Sequence, residues 1–326
     1  MELGIVVPTY GDWGHATVVR DAVQAVEELG FSTAWFGDHI VVPRYAAHVS
    51  PPNWLEPLSC ALVGAGATTR LRFGVDVLVL PYRDPVWLSQ LVAGADQLSD
   101  GRLTLGVGVG YIRGEFAAVT RVPYEDRGRA TDEHLRVLDA LWQTDGPVSF
   151  EGEWTSFEDV LAEPKPAQRP FPLWVGGNGA PALRRAALLG NGWHPLFPTL
   201  DRYREGRRRI LERRADAGIG APFTFSYSSA ATRVLEVDGS GGFTAGGTTT
   251  VPPPPEYDYA PPPPMTDDGR MLLVGTPDQL VADVAALADA GVDHLVLRFS
   301  HGHAPHDLAD LVDQAARFAA EVVPGG

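Results

Sequence analysis

A carboxylate and an imidazole stand side by side at Asp38 and His39, directly after the apolar run 32–36. Histidine exchanges protons near neutral pH, and neighbouring charges tune that exchange. The pair therefore has the residue types of a general acid–base site. A structural turn in which Asp38 acts as a cap fits the same two residues, so the local sequence leaves both interpretations open.

Asp76 interrupts the apolar run 71–80, which otherwise has the composition of a buried strand. A carboxylate in such a strand needs polar partners, because burying an unpaired charge is costly. We expect Asp76 either to bind an amide group of a ligand or to lie at a bulge that faces solvent.

The sequence Gly-Gly-Asn-Gly at 176–179 leads directly into a helical pattern. Bare backbone amides and the positive end of a helix dipole favour a phosphate group at such a position. A flexible turn between a strand and a helix has the same composition, and spacing does not separate the two.

Three histidines near the C-terminus, His301, His303 and His306, have a spacing that zinc could use. No carboxylate-rich motif accompanies them, and glycine and proline surround them. We therefore predict no metal site.

The elements that must position these residues alternate between short apolar runs and helical patterns. This alternation predicts an α/β fold with a parallel sheet, as a closed (β/α)₈ TIM barrel or as an open doubly wound sheet. The dinucleotide fingerprint that would favour the open sheet is absent, because residues 106–110 carry glycine at every second position. The predicted strands are 3–7, 32–36, 71–80, 103–107, 173–175, 192–193, 223–237 and 294–299, and the predicted helices are 16–29, 57–67, 85–98, 130–142, 181–189, 203–217 and 277–290.

Two insertions are predicted within a single domain of residues 1–326. A hairpin is expected around 148–157, and a flexible Gly/Pro-rich loop is expected at 238–270, where two four-proline blocks occur. In a barrel, the polar residues that follow the strands gather at one face, where barrel enzymes have their active sites.

Composition excludes several classes of protein. The net charge of −15 disfavours nucleic acid as a partner, and no stretch of eighteen apolar residues is present to span a membrane. The N-terminus lacks the pattern of a signal peptide, and the single cysteine, Cys60, fits a reducing compartment. We therefore expect a cytoplasmic protein.

An ordered set of motifs resembles the luciferase-like monooxygenases, specifically the branch that uses the deazaflavin coenzyme F420. The matching segments are 35–43, 77–85, 98–110, 115–116, 127–129, 172–178, 192–195 and 275–299. Each segment is weak alone, but the ordered set is specific. The Asp-His pair is typical of the deazaflavin branch, whereas flavin-using luciferases tend to carry Glu-His-His.

The resemblance implies roles for particular residues. His39 would lie near the reactive ring carbon, Asp38 would help to hold the ring, and a cis peptide at Asp76-Val77 would lie behind the ring. Gly176, Gly177 and Asn178 would meet the cofactor phosphate. We also predict cofactor contacts at Gly108 and Gly110, which follow the fourth strand.

This chain departs from the family pattern at three points. Related sequences usually have Thr and Gly where Val75 and Asp76 stand, Trp where Tyr111 stands, and an acidic residue where Gly114 stands. A carboxylate at position 76 could accept a hydrogen bond from a ring N–H or repel an anionic reduced ring.

The leading hypothesis is hydride transfer between F420 and a small organic substrate, with His39 as proton donor or acceptor. Trp13, Trp54, Tyr111 and Trp193 would form an aromatic substrate wall, although core packing explains each of them equally well. The resemblance also implies a homodimer. The alternatives are an FMNH2-dependent two-component monooxygenase, a metal-dependent barrel hydrolase and a non-catalytic ligand-binding relative.

Overall fold

Eight parallel strands form a closed barrel in the computed structural model, which describes residues 1–47, 50–236, 264–299 and 308–323. The strands in the described residues are β1 Glu2–Val6, β2 Thr33–Phe36, β3 Arg72–Val79, β4 Leu103–Gly108, β5 Val148–Glu151, β6 Ser156–Val160, β7 Leu173–Gly176, β8 Gly192–His194, β9 Thr224–Ser228, β10 Arg233–Val234, β11 Val274–Gly275 and β12 His294–Leu297. The order around the barrel is β1-β12-β9-β8-β7-β4-β3-β2, closed by the pairing of β2 with β1. The predicted (β/α)₈ fold is confirmed.

Helices cover the outside of the barrel, as a sheet that is apolar on both faces requires. They are α1 Ala16–Glu28, α2 Pro57–Ala67, α3 Pro85–Leu98, α4 Arg113–Val119, α5 Arg127–Gln143, α6 Ala180–Leu189, α7 Leu200–Asp216, α8 Pro277–Asp289 and α9 Leu308–Glu321. Proline in the first turn and a capping side chain fix several starts, as at α3, where the Asp84 carboxylate accepts the Trp87 N–H. In the described part of the chain, every helix is too short or too polar to cross a membrane.

The barrel interior is filled by large rings that face glycines on neighbouring strands. Trp35 and Trp174 lie 5.4 Å apart between ring centroids and form a cluster with Val6 and Val296. A Cβ added at Gly74 would lie 2.2 Å from the Trp35 ring, so only glycine leaves room for this ring. The lumen is therefore a packed core, and a ligand has space only above it, at the mouth formed by the C-terminal ends of the strands.

The structure corrects three details of the sequence prediction. The segment 223–237 is not one strand, because β9 ends at Ser228 and the separate β10 pairs with β11. Two helices, α4 and α9, were not predicted. The hairpin of β5 and β6 confirms the insertion around 148–157.

The other predicted segments lie largely outside the described residues. His301, His303 and His306 fall there, as do residues 237–263 of the Gly/Pro-rich segment. Within the described end of that segment, Met265 forms an antiparallel bridge with Met271.

Candidate active site at the mouth of the barrel

His39 follows β2 at the mouth and is held by a buried carboxylate from α4. Its Nδ1 lies 2.8 Å from Glu115 Oε2, and the Glu115 side chain is 1 % exposed. The Ile40 backbone N–H donates to Glu115 Oε1 at 2.8 Å, so both carboxyl oxygens have a partner. Burial, together with the nearby Glu115 carboxyl group, raises the pKa of the Tyr82 hydroxyl. Because a carboxylate oxygen accepts hydrogen bonds, the tautomer that satisfies the contact with Glu115 carries its hydrogen on His39 Nδ1.

Nε2 of His39 is directed away from this pair. Within the described residues it makes no hydrogen bond, and the side chain is 12 % exposed. An imidazole fixed through one nitrogen presents the other nitrogen in a defined direction, which a residue that transfers protons requires.

Both carboxylate oxygens of Asp38, the other member of the predicted pair, accept hydrogen bonds from within the protein. Its two oxygens accept hydrogen bonds from the Arg83 guanidinium, both at 2.8 Å, and Oδ2 also accepts the Val79 N–H at 2.9 Å. Its side chain is 0 % exposed. Asp38 therefore fixes the end of β3 beside His39, and it has no exposed oxygen for a ligand.

A bulge in β3 carries the cis peptide predicted at Asp76-Val77. The register of β3 against β4 shifts between Val75 and Leu78, so the bulge lies at the end of the barrel that faces the mouth. Glycines give this bulge its room. A Cβ at Gly106 would lie 2.3 Å from the Val75 carbonyl oxygen, and one at Gly108 would lie 2.6 Å from a Val77 methyl group.

The Asp76 side chain reaches across the barrel and joins four strands. Its Oδ1 lies 2.9 Å from His194 Nε2 on β8, and its Oδ2 accepts from Ser228 Oγ on β9 at 3.3 Å and from the Arg298 guanidinium after β12 at 2.7 Å. Burial raises the pKa of Asp76, but the hydrogen bond and charge of His194, together with Arg298, lower it to about 2. Asp76 is therefore an ionised, fully partnered carboxylate inside the barrel.

His194 is positioned by contacts on each side of its ring. Its Nδ1 lies 2.6 Å from Ser226 Oγ, and its ring stacks on Trp35 with centroids 4.6 Å apart. These contacts fix the nitrogen that meets Asp76.

The predicted phosphate loop lies between β7 and α6. Gly177 has a φ of +99°, a conformation that disfavours side chains, and α6 begins at Ala180 without a side-chain cap. The Asn178 Nδ2 donates to the Leu196 carbonyl at 2.9 Å, and the Trp193 Nε1 donates to the Gly177 carbonyl at 2.9 Å. The turn is thus held rigidly, while no side chain in the described part of the protein caps the backbone amides at the start of α6. Gly110, with a φ of +82°, forms a similar turn after β4.

Two of the four aromatic residues predicted to contact substrate surround His39. The centroid of the Trp54 ring lies 4.7 Å from that of His39, and the centroid of Tyr111 lies 6.0 Å away. Tyr10, which the sequence did not single out, packs against Trp54 with the ring centroids 4.2 Å apart and the rings tilted by 35°.

The other two aromatic residues belong to the core. Trp13 is 8 % exposed within the main core cluster. Trp193 is 1 % exposed and stacks on Tyr203 of α7 at 5.1 Å, outside the barrel. Neither ring is among those that pack against His39.

Sequence reasoning did not assign roles to Glu115, Arg83, His194, Ser228 and Arg298. Glu115 and Arg83 lie in motifs that match the family, which was the available signal. No group of three or more metal-ligating side chains occurs among the described residues.

Comparison with known proteins identifies the family. The family model described as luciferase-like monooxygenase matches residues 1–235. The chain belongs to the luciferase-like monooxygenase family. As a member of this family, it is an enzyme of the oxidoreductase and monooxygenase type, and the resemblance seen in the sequence is confirmed.

Relatives within this luciferase-like family differ in cofactor. The F420-dependent glucose-6-phosphate dehydrogenase of Amycolatopsis mediterranei (strain U-32) is 26 % identical, with 96 % of this chain and 95 % of that protein covered. The FMNH(2)-dependent dimethylsulfone monooxygenase of Pseudomonas putida is 29 % identical over 54 % of this chain and 47 % of its own length. A solved F420-dependent secondary alcohol dehydrogenase in complex with an F420-acetone adduct superposes with a TM-score of 0.77 at 18 % identity, covering 99 % and 98 % of the two chains.

Proposed function

We propose that this enzyme transfers a hydride between F420 and a small organic substrate at the mouth of the barrel. The observation that carries the proposal is the His39–Glu115 pair, with Nδ1 bonded at 2.8 Å and Nε2 directed away from Glu115. Interconversion of an alcohol and a carbonyl moves a hydride and a proton. A rigidly held imidazole at the mouth supplies the proton transfer.

F420, when bound, supplies the hydride chemistry, and the chain's own residues supply position and proton transfer. His39 accepts the substrate hydroxyl proton at Nε2 during oxidation and returns it during reduction. Glu115 stabilises the imidazolium that forms, as a carboxylate beside a histidine does. The Trp54 and Tyr111 rings, which contact His39, exclude water from this nitrogen and orient the substrate.

The residues present fit a phosphate-bearing ring cofactor. The start of α6 has no capping side chain, and Gly177 at positive φ allows a phosphate to approach the backbone closely. The Asp76 charge is neutralised by Arg298 within the protein, at 2.7 Å, so it repels an anionic ring less than a lone carboxylate would.

Two points favour F420 over FMN. The F420-dependent dehydrogenase matches this chain over nearly its whole length, whereas the match to the FMNH(2)-dependent monooxygenase covers about half of each protein. The Asp38-His39 pair also belongs to the pattern that the sequence shares with the deazaflavin branch. FMNH2-dependent monooxygenation is the second candidate, because a relative with that cofactor matches 54 % of the chain.

Separate titrations of the purified protein with oxidised F420 and with FMN test the proposal. We expect saturable F420 binding and much weaker FMN binding, measured by quenching of protein or cofactor fluorescence. Saturable FMN binding without F420 binding would replace the proposal by the second candidate. A homodimer, implied by the family resemblance, and the cytoplasmic location expected from the composition are part of the proposal. Light scattering after size-exclusion chromatography tests the oligomeric state.

A further inference from the structure

Arg298 lies at the mouth, and the described residues bind only part of its guanidinium group. It directly follows β12, and β12 is separated from β2, which leads into His39, by β1 alone. Both side chains therefore belong to the same part of the rim. The Arg298 side chain is 21 % exposed, whereas the Asp76 side chain that it contacts is 3 % exposed. The guanidinium thus lies above the buried carboxylate.

The Arg298 side chain has more N–H donors than the described residues around it bind. A guanidinium has five N–H donors, and among the described residues one hydrogen bond is made by them, from Nη2 to Asp76 Oδ2 at 2.7 Å. The backbone N–H of Arg298 is separately satisfied by the hydroxyls of Ser229 and Thr232. Within the described residues, the side chain makes no further hydrogen bond.

Asp76 presents this side chain in a fixed direction. The carboxylate is itself held by His194 at 2.9 Å and by Ser228 at 3.3 Å, and both of these partners belong to the barrel wall. A long arginine side chain loses conformational freedom when it is anchored in this way, so ligand binding pays less of that cost.

The charge of the whole protein makes local N–H donors at the mouth significant. At −15, the protein repels anions in general, so an acidic or strongly polarised oxygen needs a local donor to be retained. The remaining donors of Arg298 have that chemistry.

We propose that Arg298 is a ligand-binding residue at the mouth, presented by Asp76, and that it takes a carbonyl or anionic oxygen of the bound molecule. The oxygen comes from the dione edge of the ring cofactor or from an acidic substrate. This inference rests on the proposed function for the identity of that molecule, and its chemistry applies to either source.

Binding by Arg298→Gln and by a control, Arg208→Gln, tests the proposal. Arg208 is an exposed arginine of α7 paired with Glu205 and Glu212, so its replacement removes the same charge away from the mouth. The first arm titrates both variants and the wild type with oxidised F420 and FMN. The second measures the rise in melting temperature caused by sodium acetate relative to acetamide.

If the bound oxygen belongs to the cofactor, Arg298→Gln is expected to weaken binding of the cofactor roughly tenfold or more, the range for a hydrogen bond to a charged group. If the bound oxygen belongs to an acidic substrate, Arg298→Gln is expected to keep the cofactor affinity of the wild type and to lose the rise in melting temperature caused by acetate. In both cases Arg208→Gln behaves as the wild type. If Arg298→Gln matches the wild type in both arms, the proposal is overturned.

A further variant keeps the test decisive. If Arg298→Gln does not fold, Arg298→Lys takes its place, because it retains the charge without the planar donors. It is expected to bind the cofactor or acetate more weakly than the wild type does. Wild-type protein that binds neither cofactor contradicts the proposed function, while the acetate arm still decides the role of Arg298.

Discussion

His39 is the residue on which the chemistry depends, because its Nε2 is the proton carrier in the proposed reaction. Replacing His39 with alanine is expected to lower turnover by ~10²–10⁴-fold, the usual contribution of a general acid or base. Cofactor affinity should stay within a few-fold of the wild type, because the glycine turn before α6 is unchanged. Steady-state kinetics and F420 titration of the same preparation check both parts. Unchanged turnover would remove His39 from the mechanism.

Glu115 acts through His39 as a positioning residue. Glu115→Gln keeps the size of the side chain but removes the charge beside Nδ1, from which it is separated by 2.8 Å in the wild type. We expect a lower kcat with little change in cofactor affinity, because the imidazolium formed during proton transfer loses its neighbouring anion. A residue with only a structural role would change the melting temperature and leave kcat in place.

Asp38 and Arg83 form a buried ion pair, so removing one partner is costly. Arg83→Met leaves the Asp38 carboxylate, 0 % exposed, without its two guanidinium hydrogen bonds. The expected loss is ~3–5 kcal/mol in the free energy of unfolding, measured with urea. The double variant Asp38→Asn, Arg83→Met should recover part of this loss. Equal stability of the single variant and the wild type would show that the pair contributes little.

The sequence predicted some residues of the site but not their contacts. Asp38 and His39 were recognisable because they follow a predicted strand, and Asp76 because a charge interrupts an apolar run. The partners of Asp76 are 118, 152 and 222 positions away, at His194, Ser228 and Arg298. Only barrel closure brings these residues together, so no local spacing could have revealed the network.

At the scale of elements, the glycines of β4 leave space for the bulge of β3. Gly106→Ala places a methyl group 2.3 Å from the Val75 carbonyl oxygen, a backbone atom that cannot move freely. We expect a loss of ~1–3 kcal/mol or more in the free energy of unfolding, as for other overpacked cores. Urea unfolding measures the change.

Gly94→Ala is the matched control for that substitution. Gly94 lies inside α3, and a Cβ there meets nothing within 4 Å. This change should stabilise the protein by about 0.5–1 kcal/mol through helix propensity. If the two alanine variants were equally stable, the close approach of β3 and β4 would not be needed.

The sequence predicted most elements because their hydrophobic periodicity is strong. It missed α4, whose seven residues at Arg113–Val119 contain a glycine and are too few for a clear helical period. It merged β9 with β10 because no glycine or proline stands between them to mark a turn. The break at Ser229–Thr232 comes from hydrogen bonds to residues 296 and 298, which are distant in sequence.

At the scale of the whole molecule, buried histidines couple stability to pH. Burial lowers the pKa of His134 and of His294 below the ordinary value of 6.5. The unfolded chain therefore binds protons first as the pH falls through 6.5, so stability is present above that pH and is lost towards the lower folded-state values. Asp76, with a pKa of about 2, adds a further loss below pH 4.

His134→Gln isolates one of these contributions. Between pH 6.5 and 5.5 the free energy of unfolding of this variant should fall less steeply than that of the wild type. The largest difference expected for one proton is about 1.4 kcal/mol per pH unit. Urea unfolding at several pH values provides the comparison, and identical slopes would contradict the assignment of His134 as a buried neutral group.

The central claim is that the mouth of this luciferase-like barrel binds F420 for hydride transfer. Dialysis of the protein against equimolar oxidised F420 and FMN, followed by identification of the retained cofactor from its absorbance spectrum, tests the claim most directly. We expect F420 to be retained in excess over FMN. Retention of FMN with F420 left in the dialysate would contradict the claim and identify the enzyme as an FMN-dependent member of the family.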